Sequence, residues 1–235
     1  MYVINEIAVT MEKMTPSDFT GFTFFVVNMA LLAAALFFWL ERDNVNPKWK
    51  TSLTVSGLVC FIAAVHYFYM RDAGGTDVVA IRYIDWLITV PLLMVELYIV
   101  LLAVTNVGSG VFKRLLTFTT LMLVFGYLGE TQVISSTIGF VGGMLFWGLA
   151  LKEIWSGEAA DANAGSKNAA GQYAYVNLKN IVTFGWLIYP AGYALGYFGG
   201  GVDMDLTNQV YNLADFVNKI LPGVIVWVAA KMDTK

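Results

Sequence analysis

The chain has 235 residues, of which 58% are hydrophobic and only 13% are charged, and its mean hydropathy is +0.65. A soluble domain carries about 25% charged residues, so this composition excludes an ordinary soluble protein and indicates one that lies in lipid. The formal net charge of −3 excludes the strongly basic surface of a nucleic-acid-binding protein. A single cysteine, Cys60, excludes an internal disulfide and a cysteine-based zinc cluster, so we expect no metal site and assign this residue to packing.

Seven segments are long and apolar enough to cross a membrane. Spanning about 30 Å of hydrocarbon takes roughly 20 helical residues. The sequence therefore predicts an all-α fold, a bundle of seven transmembrane helices, over residues 18–40, 50–71, 79–103, 112–129, 132–155, 175–199 and 206–230. The connectors are short, except for SGEAADANAGSKNAAGQ at 156–172, which is small and polar enough to be mobile.

Basic residues lie mostly on one side of the predicted bundle. The other side holds only Lys13 and Arg71. The ten on the richer side are Arg42, Lys48, Lys50, Lys113, Arg114, Lys152, Lys167, Lys179, Lys231 and Lys235. This bias places the N-terminus outside and the C-terminus in the cytoplasm. We expect residues 1–17 to be a short extracellular segment without a cleavable signal, 18–231 to be the membrane domain, and 232–235 to be a cytoplasmic tail.

Few ionisable residues lie well inside the predicted spans, and each is a functional candidate because charges are costly in lipid. They are His66, Arg82, Asp85, Glu96, Asp215 and Lys219. On the third span, Thr89 and Glu96 follow Asp85 at four and eleven residues, which at about 100° per residue places all three on one stripe. Arg82, three residues before Asp85, joins that stripe. Glu96 lies about 16 Å closer to the cytoplasm than Asp85.

On the seventh span, Asp215 and Lys219 are one turn apart and share a face. The residues alone leave open that they are a structural ion pair. A desolvated lysine is also a good nucleophile toward a carbonyl, so Lys219 could form an imine with an aldehyde cofactor. A protonated imine and Arg82 would then balance the charges of Asp85 and Asp215. Glu96 has no evident cation on its helix, so we expect it to be protonated, and a protonated carboxyl on this stripe is typical of a proton path.

Aromatic residues could complete a ligand site near these charges. Trp86 follows Asp85 directly, and FGWLIYPAGY on the sixth span contains Trp186, Tyr189 and Pro190. Flat rings at one depth could enclose a long conjugated ligand, and ordinary helix packing is the alternative.

Three long motifs resemble the proteorhodopsins, bacterial members of the microbial rhodopsin family. They are RYIDWLITVPLLMVE on the third span, FGWLIYPAGY on the sixth and YNLADFVNKILPG on the seventh. WKTSLTVSGLV on the second span and MLVFGYLGE on the fourth extend the resemblance, which runs through all seven helices.

The resemblance implies all-trans retinal bound to Lys219 as a protonated Schiff base, with Asp85 as primary proton acceptor and Asp215 as second counterion. It assigns Glu96 as the cytoplasmic proton donor, and Asp85, Thr89 and Glu96 match the triplet typical of the family's outward proton pumps. It therefore implies a light-driven outward proton pump, a transporter rather than an enzyme, in the inner membrane of a bacterium.

Two further positions match the family. His66, in AVHYFYM, corresponds to the histidine that hydrogen-bonds the acceptor aspartate, with simple packing as the alternative. Leu93 occupies the colour-tuning position, where leucine is typical of green-absorbing members.

The chain also departs from its relatives. Phe25 stands where many have a tryptophan that reaches the histidine of a neighbouring subunit, so that contact is in doubt, although we still expect a homo-oligomer. Phe140 is bulky where carotenoid-binding relatives have a glycine-lined gap, so we expect no antenna pigment. For proton release, Glu130, Asp203 and Asp205 are the candidates, and each also reads as a solvated loop charge.

Two other functions fit the same pattern. The first is a photosensory receptor that signals to a transducer, although such a sensor has no need of a donor such as Glu96. The second is a seven-helix receptor or transporter without a covalent cofactor, in which Asp215 and Lys219 are only a structural pair.

Overall fold

The computed structural model describes residues 18–73, 76–199 and 204–234, and it confirms an all-α membrane bundle. Its α-helices are α1 Phe19–Glu41, α2 Lys50–Asp72, α3 Thr76–Val104, α4 Ser109–Glu130, α5 Ser136–Ser156, α6 Glu158–Gly165, α7 Ala169–Asn180, α8 Ile188–Phe198 and α9 Met204–Met232. Seven spans within these ranges are long and apolar enough to cross a membrane. The predicted extracellular segment 1–17 lies outside the described residues.

The spans pack as a closed ring. Each of the helices α1 to α5 packs on the next in the chain, α5 packs on α8, and α9 closes the ring between α8 and α1. α9 also contacts α2 and α7, and α3 contacts α7. The polar stripes of α3 and α9 face one another inside the bundle, where Lys219 on α9 donates to Asp85 on α3.

Large apolar side chains cover the outside of the ring. More than half of the surface is exposed at Phe22, Leu40, Phe68, Leu145 and Leu213. Such exposure would be costly in water, but lipid tails are as apolar as these side chains, so the surface suits a bilayer.

Small residues let α4 and α5 approach closely. A Cβ atom on Gly129 would lie 2.9 Å from the Cα atom of Gly139, and one on Gly139 would lie 2.9 Å from the carbonyl oxygen of Phe125. Both distances are too short for real side chains, so only glycine permits this packing.

The sixth span is interrupted near its middle. It consists of α7, a π-helical segment Ile181–Gly185, a turn and α8. The backbone N–H of Tyr189 donates to Trp186 at 3.1 Å rather than to Gly185 four residues earlier, and Pro190 has no N–H to donate. The carbonyl of Gly185 instead accepts from the side chain of Asn218 on α9 at 2.9 Å.

Two sequence-based boundaries need correction. The fifth span was predicted from residue 132 but begins at Ser136, because apolar residues of the preceding turn extend the pattern and Ser135 caps the helix. The sixth was predicted from residue 175 but begins at Ala169, where Asn168 accepts a hydrogen bond from the N–H of Gly171 at 2.8 Å.

The connector 156–172, predicted to be mobile, contains the short helix α6. Arg114 on α4 donates to Glu153 on α5 at 2.8 Å and to Glu158 at the start of α6 at 2.8 Å. Ala159 is fully buried. Composition alone suggested a loop because these tertiary contacts cannot be read from a run of small and polar residues.

Asp233, just after α9, bonds to two connectors at the end of the bundle that carries the C-terminus. Its carboxylate pairs with Lys48 at 2.6 Å and accepts from the indole of Trp49 at 2.8 Å and from Asn168 at 2.8 Å. Partial burial would raise the pKa of Asp233, but the hydrogen bonds from these three residues outweigh it and lower that pKa below its ordinary value.

We expect Asp233→Asn to lower the thermal unfolding midpoint in detergent at pH 7 by about 2–4 °C, because a loss of about 1 kcal/mol shifts a protein of this size by that amount. A carboxylate whose pKa is lower in the folded state stabilises the fold at any pH above its pKa in the unfolded state. This stabilisation is lost when the pH falls and the carboxylate is protonated. The difference between the two proteins should therefore close as the pH falls below about 4. Asp161→Asn, on the exposed side of α6, is the control and should leave the midpoint unchanged. Equal midpoints for Asp233→Asn and the parent at pH 7 would contradict this role.

Candidate functional site

A lysine lies between two carboxylates in the centre of the bundle. The amine of Lys219 on α9 donates to Asp85 on α3 and, at 3.2 Å, to Asp215 one turn earlier on α9. Only 3% of Lys219 is exposed, and both aspartates are fully buried. Two carboxylates from different helices therefore stabilise one buried cation.

Asp215 is saturated with hydrogen bonds. Besides the amine, it accepts from the hydroxyl of Tyr67 at 2.9 Å, the indole of Trp86 at 3.2 Å and the hydroxyl of Tyr189 at 2.8 Å. The donors come from α2, α3 and α8. So many donors favour the ionised carboxylate.

Asp85 is less well satisfied. Its Oδ1 atom has no hydrogen-bond partner among the described residues. Nδ1 of His66 lies 3.8 Å from this oxygen, which is beyond hydrogen-bond range, and 2.8 Å from the carbonyl oxygen of Ile62. The structure thus places His66 beside Asp85 without the hydrogen bond that the resemblance implies. Thr89 is buried, and its hydroxyl donates to the backbone carbonyl of Asp85 at 3.0 Å.

Arg82 joins the same cluster from the side of the cavity nearer the start of α3. Its guanidinium donates to Tyr67 at 3.2 Å and to Asn212 at 2.9 Å, and it lies 3.7 Å from Asp215. A further hydrogen bond of 3.2 Å reaches Asn208. Arg82 is only 2% exposed, so these contacts replace its hydration.

Glu96 lies apart from the cluster, buried to 1% exposure. One of its oxygens contacts the hydroxyl of Ser56 on α2, and the other has no hydrogen-bond partner in the described ranges. The Ser56 hydroxyl is also 3.1 Å from the carbonyl oxygen of Ser52. A hydroxyl has one proton, so if Ser56 donates to Ser52, then Glu96 must donate to Ser56 and therefore be protonated.

A mainly apolar cavity begins at Lys219 and holds about 830 Å³ not filled by protein atoms. All five pocket residues predicted from the sequence line it, namely Trp86, Leu93, Trp186, Tyr189 and Pro190. A long apolar aldehyde that reacts with the amine would fit this combination of shape and chemistry.

Sequence reasoning missed the uncharged polar residues of the site. Tyr67, Asn212 and Asn218 are bonded to the charged groups or to the broken sixth span, and Ser56 contacts Glu96. A usable signal was present, because Asn212 lies three residues before Asp215 and so shares its helix face. These amides and hydroxyls carry no charge, so the cost of burying a charge in lipid does not single them out.

Of the three release candidates, Glu130 needs correction. Its carboxylate accepts from the hydroxyl of Tyr83 at 2.8 Å and lines the cavity, so it is not a solvated loop charge. Asp205 is exposed in the first turn of α9. Asp203 lies outside the described residues.

The remaining residues singled out from the sequence lie near the edges of the site. Phe25 is stacked under the guanidinium of Arg71, with 5.6 Å between the charge and the ring centroid. Phe140 lines the cavity and packs against Tyr193. Cys60 is buried, and its sulfur lies 3.4 Å from the backbone carbonyl of Lys219, as suits a packing residue.

Comparison with known proteins agrees with this geometry. The family model for bacteriorhodopsin-like proteins matches residues 18–232. The chain belongs to this family. It is 50% identical to a green-light absorbing proteorhodopsin of Gamma-proteobacterium EBAC31A08 over 93% of this chain and 89% of that protein.

Two solved structures extend the comparison. The blue light-absorbing proteorhodopsin from Med12 superposes with a TM-score of 0.81 at 43% identity, covering 92% of this chain and 100% of that one. Xanthorhodopsin, described as a light-driven ion pump with dual chromophore, superposes with a TM-score of 0.79 at 25% identity, covering 94% of this chain and 96% of that one. Family membership implies a retinal chromophore and a multi-pass membrane protein.

Proposed function

We propose that this protein is a light-driven pump that moves protons outward, with all-trans retinal bound covalently to Lys219. One observation carries the proposal: a buried amine lies between two carboxylates at the wall of a mainly apolar cavity. Similarity to proteorhodopsins across 93% of the chain supports it. The protein is a transporter rather than an enzyme.

The site residues have the properties that this cofactor requires. When bound as a protonated Schiff base, retinal supplies a light-driven isomerisation and a transferable proton at the Lys219 nitrogen. Trp86, Trp186, Tyr189 and Pro190 line the cavity and would hold the chromophore in one orientation and exclude water from it. Leu93 adds an apolar contact and suits green absorption.

The two carboxylates differ in their capacity to take a proton. Asp215 receives hydrogen bonds on both oxygens, whereas Oδ1 of Asp85 has no partner among the described residues. Protonating Asp215 would break existing hydrogen bonds, but protonating Asp85 would not. Asp85 is therefore the acceptor, while Asp215 and Arg82 remain charged. Thr89 fixes the backbone carbonyl of Asp85, and His66 lies beside its unpartnered oxygen.

Glu96 supplies the proton that returns to the Lys219 nitrogen. Glu96 forms no ion pair with any lysine, arginine or histidine among the described residues, and its contact with the Ser56 hydroxyl suits a neutral carboxyl. Asp85 and Glu96 lie about 16 Å apart along α3, so a proton accepted at one and replaced from the other moves in one direction.

The direction of transport rests on the basic residues, ten of which lie on the Glu96 side and two on the opposite side. This bias places Glu96 toward the cytoplasm of a bacterial inner membrane, with the N-terminus outside. Each proton then moves against about 2.3 kcal/mol per 100 mV of membrane potential. We propose a homo-oligomer, and no carotenoid antenna because Phe140 occupies the position where relatives have a gap.

Illuminated cells that express the chain with added retinal should acidify their medium, and a protonophore should abolish this signal. The acidification follows because each cycle releases one proton outside and takes one from the cytoplasm. Coloured protein without any pH change would instead favour the photosensory receptor.

We expect Lys219→Ala to give folded but colourless protein, because no other described lysine reaches the cavity. The measurement is the visible spectrum of purified protein with and without retinal. Lys113→Ala, at the exposed end of α4, is the control and should keep the colour. A visible band that persists in Lys219→Ala would eliminate the retinal hypothesis.

Glu96→Gln should keep the colour and the transfer to Asp85, because glutamine is as neutral as a protonated glutamate and lies far from the amine. The return of the proton to the Lys219 nitrogen should slow by about 10²-fold or more and become strongly pH-dependent, as seen in flash-induced absorbance. A small membrane-permeable weak acid should partly restore the rate. Glu158→Gln, on the exposed connector helix, should behave as the parent. A fast, pH-independent return in Glu96→Gln would show that Glu96 is not the donor.

A further inference from the structure

Two serine hydroxyls lie on one stripe of α2 beside Glu96. Ser52 and Ser56 are one helical turn apart, with exposures of 0% and 1%. Neither belongs to the cluster around Lys219. A buried serine hydroxyl on a helix, when it has no function in the site, ordinarily donates a hydrogen bond to the backbone carbonyl one turn earlier.

Ser52 does not follow that pattern. Its Oγ atom has no hydrogen-bond partner among the described residues, although the side chain is completely buried. The second carboxyl oxygen of Glu96 likewise has no hydrogen-bond partner among the described residues. Ser56 thus lies one helical turn from Ser52 and contacts Glu96, and each of these two residues has one buried polar atom without a partner in the described ranges. Two buried polar atoms without hydrogen-bond partners so close together require a structural explanation, because buried polar groups in proteins are nearly always hydrogen-bonded.

The spacing between the serines fits one water molecule. Side chains one turn apart on a helix have Cβ atoms about 5–6 Å apart, and two hydrogen bonds of about 2.8 Å span that distance. A water placed there would bond to both hydroxyls and would satisfy Ser52. A buried water needs two to four polar partners, and this position offers them.

We propose that Ser52, one water and Ser56 form the relay that returns protons to Glu96 from the cytoplasmic side. The inference rests on the proposed function, because it presupposes that Glu96 gives up its proton in each cycle. Ser52 lies one turn closer than Ser56 to the end of the bundle where Trp49 donates to Asp233, so the stripe leads from that end to the donor.

The relay transfers a proton without changing the covalent structure of the serines or the water. A proton arrives at the Ser52 hydroxyl, which passes its own proton to the water, the water passes one to Ser56, and Ser56 passes one to the Glu96 carboxylate. Each O–H bond that breaks is replaced by one that forms. The hydroxyls and the water end with reversed orientation and rotate back before the next cycle.

The test is Ser52→Ala in the full chain with retinal, measured by flash-induced absorbance and by the light-driven pH change. The dark spectrum and the transfer to Asp85 should match those of the parent. Recovery of Glu96 should slow on the order of tenfold, and a small membrane-permeable weak acid should restore it, because the acid delivers protons without the relay. Ser52→Thr, which keeps a hydroxyl, should retain the rate of the parent.

Thr54→Val is the matched control. Thr54 is on another face of α2, and its hydroxyl already donates to the carbonyl of Lys50 at 2.8 Å, so its loss should leave recovery unchanged. If Ser52→Ala fails to fold or bind retinal, Ser52→Cys allows the same measurement with nearly the same volume.

Recovery at the parent's rate in Ser52→Ala would overturn the relay. A slow recovery that the weak acid does not restore would also overturn it, since it would show a packing defect. Both results leave pumping by the unchanged chain intact, whereas failure of the proposed function appears as no light-driven acidification by that chain.

Discussion

The structure depends on one buried cation, the amine of Lys219. Moving an ammonium and two carboxylates out of water costs several kcal/mol per ion, and mutual attraction offsets this only where hydrogen bonds satisfy the remaining atoms. The bundle supplies those bonds from several helices, through Tyr67, Trp86, Tyr189 and Arg82. Helix packing and site chemistry are therefore parts of one arrangement, because the helices that hold the charges also close the ring.

The two carboxylates around the amine are not equivalent, and this difference gives the site a direction. Asp215 shares its helix with Lys219 and is fixed by donors on both oxygens, whereas Asp85 faces it from α3 with one oxygen unpartnered among the described residues. One aspartate is suited to remain a counterion, and the other to change its protonation. Glu96, on the same stripe as Asp85 but beyond reach of these charges, completes a path along a single helix.

The break in the sixth span determines which of its side chains line the cavity. A regular helix through Ile181–Gly185 would point different side chains inward, and Pro190 could not complete its hydrogen-bond ladder. Asn218, next to Lys219, satisfies the carbonyl that this break releases. An unwound backbone is tolerated at membrane depth only where protein groups compensate it, so the break and its partner form a single structural feature.

The sequence by itself determined the seven spans, because apolar runs of this length have no stable alternative to a membrane helix. It also determined which ionisable residues share a face, since helical periodicity places Asp85 with Glu96 and Asp215 with Lys219. Only the tertiary structure decided the partners between helices: the hydroxyls around Asp215, the distance from His66 to Asp85, the contact of Ser56 with Glu96, and the hydrogen bond from Tyr83 to Glu130. It likewise placed a helix in the connector 156–172. These features depend on contacts between residues far apart in the chain, and the period of a single helix carries no information about what lies across the bundle.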